Sequence, residues 1–434
     1  MTRVVHRWLA GAGAAATGCV LALGPAVSSA ATSAPLNGRE WWFDAWHIQD
    51  RVWPRTQGAG VTIALLDSGV SAALPDLTGT VLPGYNAHTG SGDGRHDTDP
   101  AGHGTEMASL IVAQGKGTGM LGIAPKAKVL PVIEGDSLGN TTTTEIVTAI
   151  RWAADHDAMV IEMAFVVDGT RYLHGCPLDV QLAVNYAVER DVVLVAGAGN
   201  DGAGDNGVKF PAACAGVVAV GAVDRQAQPW IGSQRQPYVD VAAPGVDTVV
   251  LKRNGQLDIG GAGTSDASAL TAAGIALIRS AHPELNGRQV VARLLARLRD
   301  RPASGKKDPQ RGYGTILLDK AVNDDIPLDA PNPIYDELRD KYGVGPTSSP
   351  STPRSSSPQP SSPPTGASPA QPSGGTPIGL VAALAGGVAV LIIAVVATTT
   401  RRRRAPPPAS HPHSGPPRPA PPYQPPPAGP TPRR

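Results

Sequence analysis

The chain has 434 residues and a formal net charge of +1. This length is typical of one large domain with additional segments. The near-neutral charge provides no global field for nucleic acid, and we therefore expect no nucleic acid among its partners.

Residues 1–30 have the pattern of an export signal. Arg3 and Arg7 form a basic start, an apolar run rich in Ala, Gly, Leu and Val follows to about Leu23, and residues 28–30 are small. A membrane anchor is the alternative, but this run is too weakly apolar for one. The sequence predicts a signal peptide and export.

Residues 31–345 have the pattern of a folded domain with a short N-terminal extension. Five apolar, β-branched runs of strand length are bounded by Gly, Pro and Asp. These runs are residues 61–66, Lys128–Ile133, Ala158–Met163, Val192–Ala196 and Val217–Val223.

Four amphipathic stretches predict helices, and the first has a capping box in Thr142-x-x-Glu145. These stretches are Thr141–Ala154, Val180–Glu189, Ser265–Ser280 and Arg288–Arg299. Strands that are apolar throughout and alternate with helices predict an α/β fold, a parallel sheet with helices on both faces.

Three residues in this domain form a candidate catalytic group. Asp67 closes the first strand, His103 stands between two glycines before a helix, and Ser265 follows a Gly-Thr turn into another helix. In parallel sheets, ligands bind beyond the carboxyl ends of the strands. A serine becomes nucleophilic when a base takes its proton and a third group orients the base, and Asp…His…Ser is a known chain order for that arrangement.

Asn200 is a candidate donor for an oxyanion. It closes the segment "VLVAGAGN" after a strand, where its side-chain N–H is able to reach the same crevice. Acyl transfer needs such a donor. The alternative role of Asn200 is that of a turn residue after Gly199.

These motifs resemble those of the subtilisin-like serine proteases, the subtilases of peptidase family S8. The resemblance covers about residues 55–300 and is carried by "LLDSGV", "GHGTEMASLI", "AGAGN" and "VAAPG" followed by "GAGTS". It implies a seven-stranded parallel sheet and a protein or peptide substrate. It also implies that Asp67 orients His103, that His103 is the base, that Ser265 attacks, and that Asn200 holds the oxyanion.

Some residues depart from the family pattern. In the strand that lines the substrate cleft, Glu162 replaces an Asn and Val166 replaces a Gly, with Ala164 and Phe165 between them. Glu162 either selects basic side chains in substrates or pairs with an internal Arg. The family usually has Met or Phe after its serine, where this chain has Asp266. Asp266 either slows the reaction through repulsion of the oxyanion, or points away and stabilises the helix dipole.

Cys176 and Cys214 are the cysteines of the exported part. An isolated pair outside the cytosol most often forms a disulfide, which we expect here. No further ligands cluster near them, so we expect no metal site at these cysteines. We expect no cofactor. A structural calcium remains open, although no compact Asp-rich loop of the EF-hand kind is present.

The C-terminal part contains a candidate membrane span. Residues 346–377 are rich in Pro and Ser, which predicts an extended stalk. Residues 378–397 contain no charged or polar side chain and are long enough to cross a bilayer, whereas a buried core helix is the alternative. Arg401–Arg404 favour the cytoplasmic side for residues 398–434. This tail is mostly Pro, which leaves open a polyproline ligand or a solvated segment.

A signal, a subtilase domain, a stalk, one span and a basic tail together resemble the mycosins, membrane-anchored subtilases associated with type VII secretion. The resemblance implies secretion components as partners. We expect a serine endopeptidase of the cell membrane, with an extracytoplasmic peptidase domain and a cytoplasmic tail. Two alternatives remain. One is a weak or inactive subtilase that acts as a structural or binding part of a secretion complex, and the other is an exported hydrolase of small esters or amides.

Overall fold

The computed structural model describes residues 36–344, except residues 37, 138, 304 and 305. The strands are β1 (Thr62–Asp67), β2 (Tyr85–Asn86), β3 (Lys128–Ile133), β4 (Val160–Met163), β5 (Val167–Asp168), β6 (Val193–Gly197), β7 (Lys209–Phe210), β8 (Val217–Val223), β9 (Val241–Pro244), β10 (Val246–Leu251), β11 (Leu257–Ala262), β12 (Leu298–Arg299) and β13 (Thr315–Ile316). The α-helices are α1 (Trp42–Ala45), α2 (His103–Val112), α3 (Thr143–Asp155), α4 (Leu178–Glu189), α5 (Thr264–Ala281), α6 (Gly287–Ala296), α7 (Leu318–Asn323) and α8 (Pro333–Tyr342).

The centre of the domain is a sheet in the order β12-β13-β9-β8-β6-β4-β1-β3-β2. Its neighbouring strands are parallel, except for the antiparallel pair β12 and β13. The segment from β9 to β2 contains the seven strands that the subtilase resemblance implies. The other two strands, of two residues each, extend the β9 edge. The sheet is therefore mostly parallel, as predicted.

Helices cover the sheet. Every residue of β4, β6 and β8 is buried. Because successive side chains of a strand point to opposite faces, both faces of these strands must be covered. Helices α2 and α5 contact each other and the sheet, and α3 and α4 form a second such pair. The long helix α5 contacts β4, β6, β8 and β9. Its first residue, Thr264, accepts a hydrogen bond of 3.0 Å from the backbone N–H of Gly199, which places the first turn of α5 beyond the carboxyl end of β6.

The N-terminal extension is an integral part of the fold. Trp42 and Phe43 are buried. The indole Nε1 of Trp46 donates a hydrogen bond of 3.0 Å to the carbonyl oxygen of Ile316. The buried carboxylate of Glu40 accepts a hydrogen bond of 2.8 Å from the backbone N–H of Leu121. The segment before β1 is thus fixed to β13 and to the loop between α2 and β3.

Most element boundaries agree with the sequence expectations within two or three residues. The capping box is present, since Thr142 N–H donates to Glu145 Oε2 at 2.7 Å and Glu145 N–H donates to Thr142 Oγ1 at 3.3 Å. The helix predicted over Arg288–Arg299 is wrong at its end. Helix α6 stops at Ala296, and Leu298 and Arg299 form β12 because they pair with β13.

Several predicted segments lie outside the described residues. They are the signal (1–30), the stalk (346–377), the span (378–397) and the tail (398–434). In the part of the chain that the structure describes, no helix combines the length and apolar content needed to cross a membrane.

Candidate active site

The Asp67 carboxylate holds the His103 ring. Asp67 ends β1 and is buried, and its two oxygens lie 3.0 and 2.9 Å from His103 Nδ1. His103 opens α2, and Asp99 Oδ2 accepts the backbone N–H groups of Gly102 and His103 at 2.9 and 3.0 Å. Gly102 has φ 92°, a left-handed conformation that favours glycine. With Nδ1 donating to Asp67, Nε2 is the ring nitrogen that remains to accept a proton.

Ser265 and Asn200 lie side by side. Thr264 donates to Asn200 Oδ1 through its backbone N–H at 3.0 Å and through its hydroxyl at 2.8 Å. These two bonds fix the amide. Ser265 Oγ and Asn200 Nδ2 lie 2.8 and 4.0 Å from the position that a Cβ would take on Gly263. A side chain at Gly263 would therefore displace the Ser265 hydroxyl from its present position.

Asp266 is buried and acts on His103. It is 7% exposed, and the Thr248 hydroxyl on β10 donates to its Oδ2 at 2.6 Å. Burial raises the pKa of Asp266 to about 6, although the hydrogen bond from Thr248 and the charge of His103 lower it. Asp266 lies in the first turn of α5, but its raised pKa means that its surroundings as a whole disfavour the charged form, which the helix-dipole interpretation does not predict. Its electrostatic effect on His103 shows that it is not remote from the candidate site.

Two further carboxyl groups surround the imidazole. Burial and, to a smaller extent, the charge of Asp266 raise the pKa of Glu106 to about 7, although the charge of His103 lowers it. Burial also raises the pKa of Glu134 to about 8, with Asp67 contributing. Burial alone lowers the pKa of His103, but Asp67, Glu106 and Asp266 together raise it to about 10. The imidazole is therefore strongly basic and mostly protonated at neutral pH.

Sequence reasoning missed Glu106 and Glu134, although a signal for each was present. Glu106 is three residues after His103 on the same helix, a spacing that places both side chains on one face. Glu134 follows β3 directly, and β3 pairs with β1 so that Ile133 lies beside Asp67. Strand ends that are adjacent in a parallel sheet bring their next residues together.

The structure corrects the expectation for Glu162. This side chain is 0% exposed, and the Ser268 hydroxyl lies 2.6 Å from its Oε1. A substrate side chain therefore has no access to it, and its partner is a serine of α5 rather than an internal Arg. Ala164 and Phe165 are half-buried and Val166 is 41% exposed. Their role in a substrate cleft stays a prediction.

Cys176 and Cys214 are bonded, as expected, with Cα atoms 5.1 Å apart. The described residues contain no group of three or more His, Cys, Asp or Glu side chains that could hold a metal ion.

Comparisons with known proteins agree with this fold. Residues 58–315 match the sequence model of Peptidase_S8, the Subtilase family. The chain is similar to a thermophilic serine proteinase of Bacillus sp. (strain AK1), with 38% identity over 206 residues, 46% of this chain and 48% of that protein. The chain thus spans about half the length of this relative.

Solved structures are also similar. MycP1 from Mycobacterium smegmatis is 27% identical, with a TM-score of 0.58 over 69% of this chain and 88% of that one. The MycP3 protease from the type VII (ESX-3) secretion system is 28% identical, with a TM-score of 0.58 over 69% of this chain and 90% of that one.

Proposed function

The chain belongs to the subtilase family, and from this membership we propose that it is a serine endopeptidase that cleaves protein or peptide substrates. One observation carries the proposal: both carboxylate oxygens of Asp67 lie within hydrogen-bond distance of His103 Nδ1, at 3.0 and 2.9 Å. Asn200 and Ser265 add an amide donor and a hydroxyl around Gly263. Peptide-bond cleavage by a serine nucleophile needs four groups: the nucleophile, a base, an acid that orients the base, and an oxyanion donor.

In the proposed reaction, Ser265 Oγ attacks the substrate carbonyl carbon while His103 Nε2 takes the hydroxyl proton. Asp67 holds the ring and stabilises the imidazolium. The oxyanion accepts hydrogen bonds from Asn200 Nδ2 and from the backbone N–H of Ser265, since first-turn N–H groups have no carbonyl partner within the helix. The C–N bond then breaks, the amine leaves with the proton from His103, and water repeats the sequence on the acyl-enzyme.

The carboxyl groups around His103 lower the fraction of neutral imidazole at neutral pH, and only the neutral form is able to act as the base. With a pKa of about 10, most imidazole groups carry a proton and cannot accept another. The proposed activity rises with pH for this reason. The same observation favours a second candidate, a weakly active or inactive subtilase that serves as a structural or binding part of a secretion complex.

We also propose that the domain acts outside the cytoplasmic membrane, anchored by residues 378–397 with the tail inside. Three observations support this location. Residues 1–30 resemble an export signal, the Cys176–Cys214 disulfide is typical of oxidising compartments, and the similar MycP3 protease is from the type VII (ESX-3) secretion system. Secretion components are the proposed partners.

Hydrolysis of an unfolded protein by the purified full-length chain tests the proposed activity. New substrate N-termini are expected with the wild type and with Ser280→Ala, a matched control near the far end of α5. Ser265→Ala and His103→Ala are expected to form none. Equal cleavage by Ser265→Ala, or no cleavage by folded wild type between pH 7 and pH 10, would contradict the endopeptidase proposal.

A further inference from the structure

Glu162 is an acid in the middle of the sheet, beneath the candidate nucleophile. It belongs to β4, which lies between β1 and β6, and it is 0% exposed. Its Oε1 lies 2.6 Å from Ser268 Oγ. Its Oε2 is buried and has no hydrogen-bond partner among the described residues. This carboxyl group therefore has a single polar contact, which joins it to the first turns of α5.

Counting protons shows that the two contacts of Ser268 cannot both be hydrogen bonds if Glu162 is ionised. Ser268 Oγ also lies 2.9 Å from the carbonyl oxygen of Ser265. A hydroxyl has one proton, and a carbonyl oxygen only accepts. If Ser268 donates to Ser265, the contact of 2.6 Å to Glu162 is a hydrogen bond only when Glu162 itself is the donor. Both contacts are satisfied together when Glu162 is protonated.

The surroundings of Glu162 also disfavour its charged form. An ionised carboxylate here would have one oxygen buried without a donor, which costs far more than a neutral carboxyl group. The titratable groups that face it are Asp67 from β1 and Glu134 after β3, which raise its pKa, and His103 from α2, which lowers it. Two of the three are acids, and burial raises the pKa of Glu162 well above its ordinary value.

On the basis of the proposed peptidase function, we propose that Glu162 is a positioning residue, a neutral carboxylic acid that holds Ser265 through Ser268. Glu162 donates to Ser268 Oγ, and the Ser268 hydroxyl donates to the Ser265 carbonyl oxygen. This chain of hydrogen bonds connects the first turn of α5, which contains Ser265, to β4. Because β4 continues into Ala164–Val166, the predicted cleft, the nucleophile keeps a fixed place relative to a bound peptide.

Infrared spectroscopy of the full-length protein tests the protonation of Glu162 without reference to activity. At neutral pH, the difference spectrum between wild type and Glu162→Gln should contain the C=O stretch of one protonated carboxyl group. Ser268→Ala should shift the frequency of that band because the acid loses its acceptor. A difference spectrum with carboxylate bands instead would overturn the proposal. If wild type shows no peptidase activity but the protonated band is present, the peptidase function alone fails.

Steady-state kinetics test the positioning role. Glu162→Gln keeps an N–H donor for Ser268 and should retain kcat within about threefold. Glu162→Leu and Ser268→Ala break the chain of hydrogen bonds. Small displacements of a catalytic group lower the rate of the reaction by up to about a hundredfold. We expect their kcat to fall roughly ten- to a hundredfold with little change in KM. Glu40→Gln, a buried acid of the N-terminal extension, is the control. If Glu162→Gln and Glu162→Leu lower kcat equally, or if Ser268→Ala leaves kcat unchanged, the hydrogen-bond chain does not position Ser265.

Discussion

Replacing Asp266 with Asn should stabilise the domain in a pH-dependent way. Burial raises the pKa of Asp266 from 3.8 to about 6, and one pKa unit corresponds to about 1.4 kcal/mol. Ionising Asp266 therefore costs the folded state about 3 kcal/mol. For an acid with a raised pKa, the stability is fully present below pH 3.8 and is lost as the pH rises through about 6. The substituted amide carries no charge, and its oxygen is still able to accept from Thr248. The gain should reach about 3 kcal/mol at pH 8 and vanish near pH 4.

The same substitution should activate Ser265. Asp266 is one of the charges that raise the pKa of His103 to about 10. Without it, this pKa falls, and each unit of the fall makes about ten times more neutral imidazole available at pH 7. The rate of labelling by a fluorophosphonate probe should rise at pH 7, and its pH profile should move to lower pH by the same amount.

Two measurements on Asp266→Asn check this reasoning. Thermal unfolding at pH 8 should show a Tm higher by roughly 5–10 °C, against little difference at pH 4. Labelling rates from pH 6 to pH 10 give the profile. Asp258→Asn, which removes an exposed acid of β11, is the matched control and should change both quantities little. An equal Tm offset at both pH values, together with an unmoved labelling profile, would refute the argument.

Three other predictions concern separate features. Replacing Cys176 and Cys214 with Ala should cost about 4 kcal/mol of unfolding free energy, since the bond spans 38 residues; a denaturant midpoint equal to that of wild type would refute this. Asn200→Ala should lower kcat about a hundred- to a thousandfold at similar KM, and a change confined to KM would show that Nδ2 does not hold the oxyanion. Protease added to intact cells should release the domain and spare residues 398–434, whereas digestion of that tail from outside would reverse the proposed orientation.

Sequence patterns predicted the buried centre of the fold well. The β-branched runs over Lys128–Ile133 and Val217–Val223 coincide with β3 and β8. Such runs are decided by local residue type and by burial on both faces, which a single sequence displays. The short strands β12 and β13 were not predicted because two-residue strands depend on pairing partners distant in sequence.

The candidate site was only partly predictable for the same reason. Asp67, His103 and Ser265 were chosen as candidates because motifs surround them. Glu162 was misplaced because its sequence position next to cleft residues does not reveal that β4 turns its side chain toward Ser268. Glu134 was missed because its proximity to Asp67 arises from the parallel register of β1 and β3. Spatial clustering of acids from separate strands and helices is a tertiary property.

The central claim is that Ser265 is a nucleophile. Identifying the residue that a fluorophosphonate probe labels is the most direct test of this claim. Wild-type protein labelled at pH 9, digested and analysed by mass spectrometry should carry one adduct, on Ser265, and Ser265→Ala should carry none. An adduct on another residue, or no adduct on folded wild type and on Asp266→Asn, would contradict the claim and favour the binding role.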